Sequence, residues 1–411
     1  MRVSIILFVM FLSSLCSAQQ TVLILTPQTD AKAALTEVRK LSERGIRTAV
    51  IVAPGCYIAR IGAGLNTIAG EFPLWEQFTS AVDQVRMDAM KPEHRIGARY
   101  LNEFLAGAFD TQPNDPIMDW NAHPGGDERL RPDERHIHSD GGAKSAANGP
   151  EDWTCTSSYN SEFMIGVVNA ATFFVESDGS IDADQWTWTQ ADIDNVKLQV
   201  IDAWSIWSYT ASLNGQTVTA VMDWYEPATG STQGYEPVLH SGGQDGLWIG
   251  DIMSNLGYAQ SGHFAKLDAF NSARRGQVGA DHAFSCFVAY NPSGAPTQLT
   301  DGAIGYAYLG GPYTQILWRA NGWSSSQINR VYGHEVGHIF HAFDEYSSST
   351  SSNCTRSFNG RVNSNYQGAP CSGASACVMI NNAFSGSGAT RQWNLCSHTP
   401  YHLGWQGMVA P

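Results

Sequence analysis

The sequence predicts an α+β fold in which a mixed sheet and its helices precede an irregular C-terminal part. Apolar runs with strand character, such as residues 21–26 and 283–290, alternate with segments of helical periodicity. Hydrophobic residues make up 43% of the chain and charged residues 15%, a composition typical of globular proteins. Four of the cysteines follow residue 350 among many glycines and serines, which favours a loop-rich C-terminal part.

Charge and the first residues indicate where the protein works. The formal net charge is −14, which argues against nucleic acid or an anionic membrane as the partner. Residues 1–18 combine Arg2, an apolar run and the small-residue ending Cys16-Ser17-Ala18, the pattern of a cleaved signal peptide. A membrane anchor is the alternative, but the apolar run is too short to span a bilayer comfortably. We expect a secreted protein, extracellular or periplasmic, with no membrane span.

Residues 19–110 have the pattern of a small α/β domain. A strand at 21–26, a helix at 30–44 and a second strand at 48–52 form a β-α-β unit. Apolar residues at helical spacing then predict a helical stretch over 74–109. None of this resembles a catalytic motif.

The rest of the chain divides at a proline-rich stretch. Residues 111–158 contain five prolines among polar residues and are predicted to be a linker or extended loop region. Residues 159–411 are predicted to form the second domain. Its predicted elements are strands at 163–168, 171–175, 217–224 and 283–290, a long helix capped by Thr189, and shorter helices at 245–258 and 262–275.

A glycine-rich strand precedes the most informative motif. Gly305, Tyr306, Ala307 and Tyr308 lie in a run that Pro312 ends, which suits an exposed edge strand. Free backbone groups on such an edge can pair with an extended peptide, so a peptide or protein substrate is the predicted partner. An ordinary edge without a ligand is the alternative.

The motif His334-Glu335-Val336-Gly337-His338 predicts a metal site on a helix. Histidines four residues apart lie on one helical face and can close on one Zn²⁺. The intervening Glu335 can then polarise a water molecule bound to the metal. Ser324 and Gln327 form a capping-box pattern that starts the helix.

A third protein ligand is needed for a catalytic zinc site, and the sequence offers three candidates, of which two are weighed first. Asp344 lies ten residues after His334 and can fold back beyond the end of the helix. His341 continues the helical face, but ligands on one straight helix spread over about 10 Å and converge poorly on one ion. We therefore predict Asp344, with His341 as the alternative and Glu345 as a further one.

The pattern HExxHxxxxxD resembles the zinc-binding consensus of the metzincin peptidases, in the variant with an aspartate ligand found in snapalysin-like enzymes. Met379 stands where a metzincin-like Met-turn would follow. The resemblance covers roughly residues 160–411. It implies a metzincin-like domain with a twisted sheet, a backing helix near 190–209, the active-site helix and an irregular lower subdomain.

Two residues depart from that family pattern. Metzincins carry glycine where this chain has His341, so His341 must adopt a left-handed backbone or the turn must shift. Asn381 stands two residues after Met379, where many metzincins have tyrosine. The group that would stabilise the oxyanion is therefore unassigned.

The predicted function is that of a secreted zinc metalloendopeptidase in which Glu335 activates a zinc-bound water. The main alternative is a secreted, non-catalytic binding protein that keeps a structural zinc site. A further alternative makes residues 20–110 a pro-segment whose Cys56 offers a thiolate to the zinc, although a buried unpaired cysteine is the simpler interpretation.

Seven cysteines remain after the predicted signal peptide, and an exported chain meets an oxidising compartment. We predict the disulfides Cys354–Cys371 and Cys377–Cys396, the shortest loops without crossing, among three possible pairings. A structural zinc site is the competing interpretation, but the spacings contain no paired CxxC. The odd count leaves at least one free thiol, which we assign to Cys56.

Overall fold

A computed structural model describes residues 19–62, 72, 74–110, 129, 160–183, 185–319, 323–349, 352–381 and 384–406. The predicted signal peptide and, apart from Arg129, the predicted linker lie outside these residues. None of the helices in the described part is long and apolar enough to cross a membrane.

The described strands and helices follow each other in a mixed order. The strands are β1 (Gln20–Leu25), β2 (Arg47–Ala53), β3 (Cys56–Ile61), β4 (Glu76–Phe78), β5 (Gly166–Ser177), β6 (Val218–Tyr225), β7 (Thr232–Gln233), β8 (His282–Ala289), β9 (Gly305–Ala307), β10 (Tyr313–Leu317), β11 (Ser357–Phe358), β12 (Arg361–Val362), β13 (Phe384–Ser385) and β14 (Gln392–Trp393). The helices are α1 (Ala31–Glu43), α2 (Gln84–Asp88), α3 (Pro92–Leu105), α4 (Gln190–Leu213), α5 (Gly246–Asn255), α6 (His263–Val278), α7 (Ile328–Ile339), α8 (Val378–Asn381) and α9 (Thr399–His402).

One mixed sheet runs through the described residues in the order β4-β1-β3-β2-β6-β5-β8-β10-β9, with β7 paired to β5. The strands from β2 through β6, β5 and β8 to β10 are parallel, and the pairs at the two ends are antiparallel. This mixed sheet with its helices agrees with the predicted α+β class.

The parallel pair β2–β6 joins the two predicted domains. Val50 lies opposite Ala220, so the strands of residues 19–110 extend the same sheet as those of residues 159–411. Removing residues 20–110 would uncover the edge of β6 at this pairing, which argues against the pro-segment alternative without testing it. Cys56 is fully buried, with its Sγ atom 4.0 Å from the His94 carbonyl oxygen, and therefore belongs to the core.

Alternating side chains give the sheet two buried faces. In β1, Leu23 and Leu25 belong to the apolar cluster formed with α3, α4 and α7. Val22 and Ile24 face the other way, into the cluster formed with α1. The helices therefore cover the sheet on both sides, and α7, which carries the HExxH motif, lies on the side of α4.

The N-terminal helix prediction over 74–109 was wrong in its first half. Residues 76–78 pair with β1 as strand β4, because that edge of the sheet is available to them. Asp83 then caps α2 by accepting a hydrogen bond from the Arg86 amide at 2.8 Å, and Pro92 starts α3. The sequence prediction also missed β3 and β10, and it divided β5 into two strands.

Helix α4 begins as predicted, because the Thr189 hydroxyl accepts a hydrogen bond from the Asp192 amide at 3.2 Å. Two of its tryptophans donate hydrogen bonds to the motif helix α7. Trp204 Nε1 donates to the Tyr332 hydroxyl at 2.9 Å, and Trp207 Nε1 donates to the Gly333 carbonyl at 3.1 Å. This long helix thus backs α7 immediately before the first histidine of the motif.

Candidate metal centre

The motif helix α7 starts and ends as its sequence requires. The predicted capping box is present, with Ser324 and Gln327 closing a short 3₁₀ turn that leads into the helix. His334 and His338 lie one turn apart near its C-terminal end. The helix ends at Ile339, and the chain then turns back across the two histidines.

His341 makes that turn. Its φ is 66°, so of the two predicted outcomes, a left-handed backbone or a shifted turn, the chain adopts the left-handed backbone. Its ring stacks on Phe358 with centroids 3.9 Å apart and packs against Gly310. His341 is therefore held apart from the other two histidines, whereas the turn it makes brings Asp344 back onto them.

Three side-chain atoms meet at one point. His334 Nε2 lies 3.0 Å from His338 Nε2 and 3.1 Å from Asp344 Oδ1, and His338 Nε2 lies 3.2 Å from the same oxygen. All three side chains are fully buried. The structure thus brings together the three residues predicted as metal ligands, and it leaves the alternative His341 outside the group.

Backbone carbonyls determine which ring nitrogens carry protons. His334 Nδ1 lies 2.9 Å from the Val378 carbonyl oxygen, and His338 Nδ1 lies 2.7 Å from that of Ala342. A carbonyl can only accept, so each Nδ1 is the donor, and in the neutral ring Nε2 presents a lone pair. Two lone pairs and one carboxylate oxygen then face each other at about 3 Å, an arrangement that a shared proton or a bound cation would stabilise.

The protonation equilibria agree with that assignment. Burial lowers the pKa of His334, so its ring favours the neutral form that a metal ligand needs. Burial opposes ionisation of Asp344, but the neighbouring His338 and His334 hold the pKa of its carboxyl well below the usual range. The centre therefore offers a carboxylate and at least one imidazole, that of His334, which favours the neutral form.

Met379 and the residue before it support the centre from beneath. A Cβ atom on Gly337 would lie 2.7 Å from Met379 Sδ, so the thioether packs closely under the helix between the two histidines. The Met379 carbonyl accepts from the Glu345 amide at 3.1 Å, next to Asp344. Sequence reasoning found Met379 but missed the carbonyls of Val378 and Ala342, since a backbone acceptor leaves no residue-type signal.

Glu335 and the predicted edge strand lie side by side. A Cβ atom on Gly305 would lie 3.3 Å from Glu335 Oε1, and the Gly310 amide donates to the His338 carbonyl at 3.0 Å. Strand β9 does end the sheet, as predicted. The prediction of an exposed edge is wrong, however, because Gly305–Ala307 are buried and the backbone of Arg129 pairs opposite Tyr308.

The C-terminal cysteines lie near their predicted partners as free thiols. Cys371 Sγ is 4.0 Å from the Cys354 carbonyl oxygen. The ligand atoms of Glu345, Cys377 and Cys396 all lie within 4.8 Å of one another. The two disulfides remain predictions.

A cavity of about 620 Å³ lies beside Trp393 and Cys396, and none of the three metal-ligand candidates lines it.

No protein-family model, curated protein or solved structure matches this chain. The chemistry of the converging side chains therefore carries the functional conclusion.

Proposed function

We propose that the protein is an exported zinc metalloendopeptidase whose metal is held by His334, His338 and Asp344. One observation carries the proposal, namely the three buried acceptor atoms that face each other at 3.0 to 3.2 Å. Such an arrangement is stable when a cation takes the place of the missing protons. The predicted signal peptide, residues 1–18, supports export, and the metzincin resemblance supports peptide hydrolysis.

Two imidazoles and one carboxylate are a ligand set that suits Zn²⁺ with one position left for water or substrate. Bound zinc would supply Lewis acidity to that position. The chain itself holds both histidines in one tautomer through Val378 and Ala342. It also holds Asp344 through the Ser349 hydroxyl, 3.5 Å from Oδ2, and through Asn363, whose side chain donates to the Asp344 carbonyl at 2.8 Å.

Glu335 is the proposed general base and acid. It follows His334 directly on α7 and its carboxylate lies beside Gly305 on the edge strand, where a peptide carbonyl would be presented. Glu335 takes the proton of the attacking water as the carbon–oxygen bond forms. It then delivers that proton to the amide nitrogen as the carbon–nitrogen bond breaks.

A structural zinc site on a binding protein is the second candidate function. Complete burial favours it, because Glu335 and the three ligand side chains have no exposed surface in this conformation. A structural site is closed by its surroundings, whereas a catalytic one keeps an open position. Under the peptidase proposal, a substrate reaches Glu335 only after the chain that covers the site has moved.

The test combines metal analysis with a peptide-library cleavage profile of the full chain. We expect one zinc per chain in the wild type, in Glu335→Gln and in Glu43→Gln, a control at an exposed position of α1. Cleavage by Glu335→Gln should fall by about a hundred- to ten-thousand-fold, the usual weight of a general base. The control should cleave like the wild type. Full activity of zinc-loaded Glu335→Gln would refute the assignment of Glu335, and an inactive, zinc-loaded wild type would favour the structural site.

A further inference from the structure

The edge strand beside Glu335 holds a residue of its own chain. The Arg129 amide donates to the Ala307 carbonyl at 2.7 Å, and the Leu309 amide donates to the Arg129 carbonyl at 2.9 Å. Together they make a parallel bridge opposite Tyr308. Arg129 thus uses the backbone groups that an added peptide strand would use.

The side chain of Arg129 enters a recess built for a cation. Its guanidinium lies 3.6 Å from the centre of the Tyr306 ring, close enough for a cation–π contact. Asp301 Oδ2 lies 3.4 Å from its Nη2 atom, and the side chain of Arg129 is 23% exposed. The same Asp301 oxygen accepts from the Gly242 amide at 2.9 Å, so the carboxylate is held in place by the backbone.

Two further residues shape this recess. A Cβ atom on Gly242 would lie 2.4 Å from Arg129 Nη2, so a residue without a side chain is needed for the guanidinium to pass. Asp245 is almost completely buried behind Tyr306, accepts from its hydroxyl at 2.6 Å, and adds a second negative charge that interacts with Arg129. A neutral or acidic side chain would leave Asp301 with the Gly242 amide, and Asp245 with the Tyr306 and Tyr313 hydroxyls, as hydrogen-bond donors. It would remove the positive charge that faces both carboxylates.

We propose that the recess of Tyr306, Asp301, Asp245 and Gly242 is a subsite for the arginine or lysine side chain of a peptide substrate, and that Arg129 fills it in cis. The inference rests on the proposed peptidase function and names its substrate class. Ala307 and Leu309 supply the backbone pairing, and the recess supplies the selection for positive charge. A substrate must displace Arg129 to use either, so the free chain is partly self-inhibited.

The test measures binding rather than hydrolysis, in full-length, zinc-loaded protein carrying Glu335→Gln. The probes are two fluorescein-labelled peptides of alanine and glycine, one with a central arginine and one with citrulline, its neutral isostere. Arg129→Ala and Arg129→Gln should each bind the arginine peptide on the order of tenfold more tightly than the parent, because a covalently attached competitor is removed. The citrulline peptide should bind on the order of tenfold more weakly than the arginine peptide. Adding Asp301→Asn to either Arg129 variant should remove most of the preference for the arginine peptide over the citrulline peptide.

Equal affinity for the two peptides in both Arg129 variants would overturn the subsite and leave Arg129 as a tether of the chain. Affinity unchanged from the parent would overturn the self-inhibition. Thermal unfolding of each variant identifies one that fails to fold, and the second Arg129 substitution then decides. Failure of the proposed function looks different, since wild-type protein would cleave no peptide whatever the Glu335→Gln protein binds.

Discussion

Two buried clusters of metal-binding residue types lie next to each other. They differ in whether the side-chain atoms that face each other carry protons. His334, His338 and Asp344 form one, and Glu345, the next residue along the chain, forms the other with Cys377 and Cys396. In the first cluster, backbone carbonyl oxygens accept hydrogen bonds from Nδ1 of both histidines. In the neutral rings, the two Nε2 atoms and the Asp344 oxygen are then all acceptors. In the second, the donors carry protons of their own.

The second cluster satisfies itself. Cys396 Sγ lies 2.9 Å from Glu345 Oε1 and shares a proton with it, and the Thr399 hydroxyl donates to the same oxygen at 3.2 Å. Burial raises the pKa of Glu345 and of Cys377 well above their usual values, so these two groups keep their protons. Hydrogen bonds from Cys377, and also from Glu345 and Thr399, lower the pKa of Cys396 to about 5, so its thiolate can accept those protons. The predicted Cys377–Cys396 disulfide would also need no cation. Ligand types alone do not make a metal site, and the lack of a proton to share is the better criterion.

Metal removal should have the largest effect. A chelator takes the cation from the first cluster and leaves three facing acceptors in a buried site. At free zinc a thousand times the Kd, bound metal adds about 4 kcal/mol to the free energy of unfolding, and chelation should remove that amount together with all cleavage. Denaturant unfolding with and without 1,10-phenanthroline measures it. Unchanged stability of a protein shown to have lost its zinc would argue against the cation.

Matched substitutions of neighbouring carboxylates should separate the clusters next. Asp344→Asn loses the anionic ligand, and we expect zinc affinity to fall on the order of a hundredfold or more. Glu345→Gln should keep one zinc per chain, because it alters the cluster in which we propose no metal. Competition with a chromophoric zinc chelator gives both affinities. Loss of zinc in Glu345→Gln together with its retention in Asp344→Asn would contradict the assignment of the metal to the first cluster.

The pH dependence of stability should also be opposite for the two carboxylates. Burial raises the folded pKa of Glu345 above its ordinary value of 4.5, so unfolding releases a proton once pH exceeds 4.5. This costs the wild type up to about 1.4 kcal/mol of stability per pH unit as pH rises. Asp344 has a lowered folded pKa, so its contribution is lost as pH falls below 3.8. Unfolding between pH 4 and pH 8 should show Glu345→Gln gaining on the wild type as pH increases.

The smallest effect concerns His341, the alternative ligand. Glycine relieves a left-handed backbone that costs about 1–2 kcal/mol, but it removes the stacking on Phe358, worth about 0.5–1.5 kcal/mol. His341→Gly should therefore change the free energy of unfolding by about 1 kcal/mol or less and keep its zinc. Asn359→Gly, at the other non-glycine residue with a left-handed backbone in the described part of the chain, is the control. Zinc loss specific to His341→Gly would reinstate His341 as the third ligand.

Local signals predicted much of the site and little of the sheet. The Thr189 cap, the Ser324–Gln327 capping box and the helical spacing of His334 and His338 act within a few residues, so their sequence predicts their structure. The glycine expected at the position of His341 predicted either a left-handed backbone or a shifted turn, and the structure has the former. Pairings such as Val50 with Ala220 join residues far apart in sequence, and no local pattern encodes them.

The same distinction holds around the site. Asp344 could be predicted because it lies only ten residues after His334, just beyond the end of helix α7. The contact between Arg129 and the edge strand could not, since it depends on how a distant segment returns to Tyr306. Carbonyl partners such as Val378 carry no side-chain signal at all. Residue spacing along the sequence therefore predicts ligands such as Asp344, whereas contacts of distant segments and backbone partners are known only from the structure.

The most direct measurement is anomalous X-ray scattering at the zinc edge from crystals of the full-length protein. We predict one peak bounded by His334 Nε2, His338 Nε2 and Asp344 Oδ1, and no peak among Glu345, Cys377 and Cys396. A zinc peak in the second cluster, or a zinc-replete crystal with no peak in the first, would contradict it.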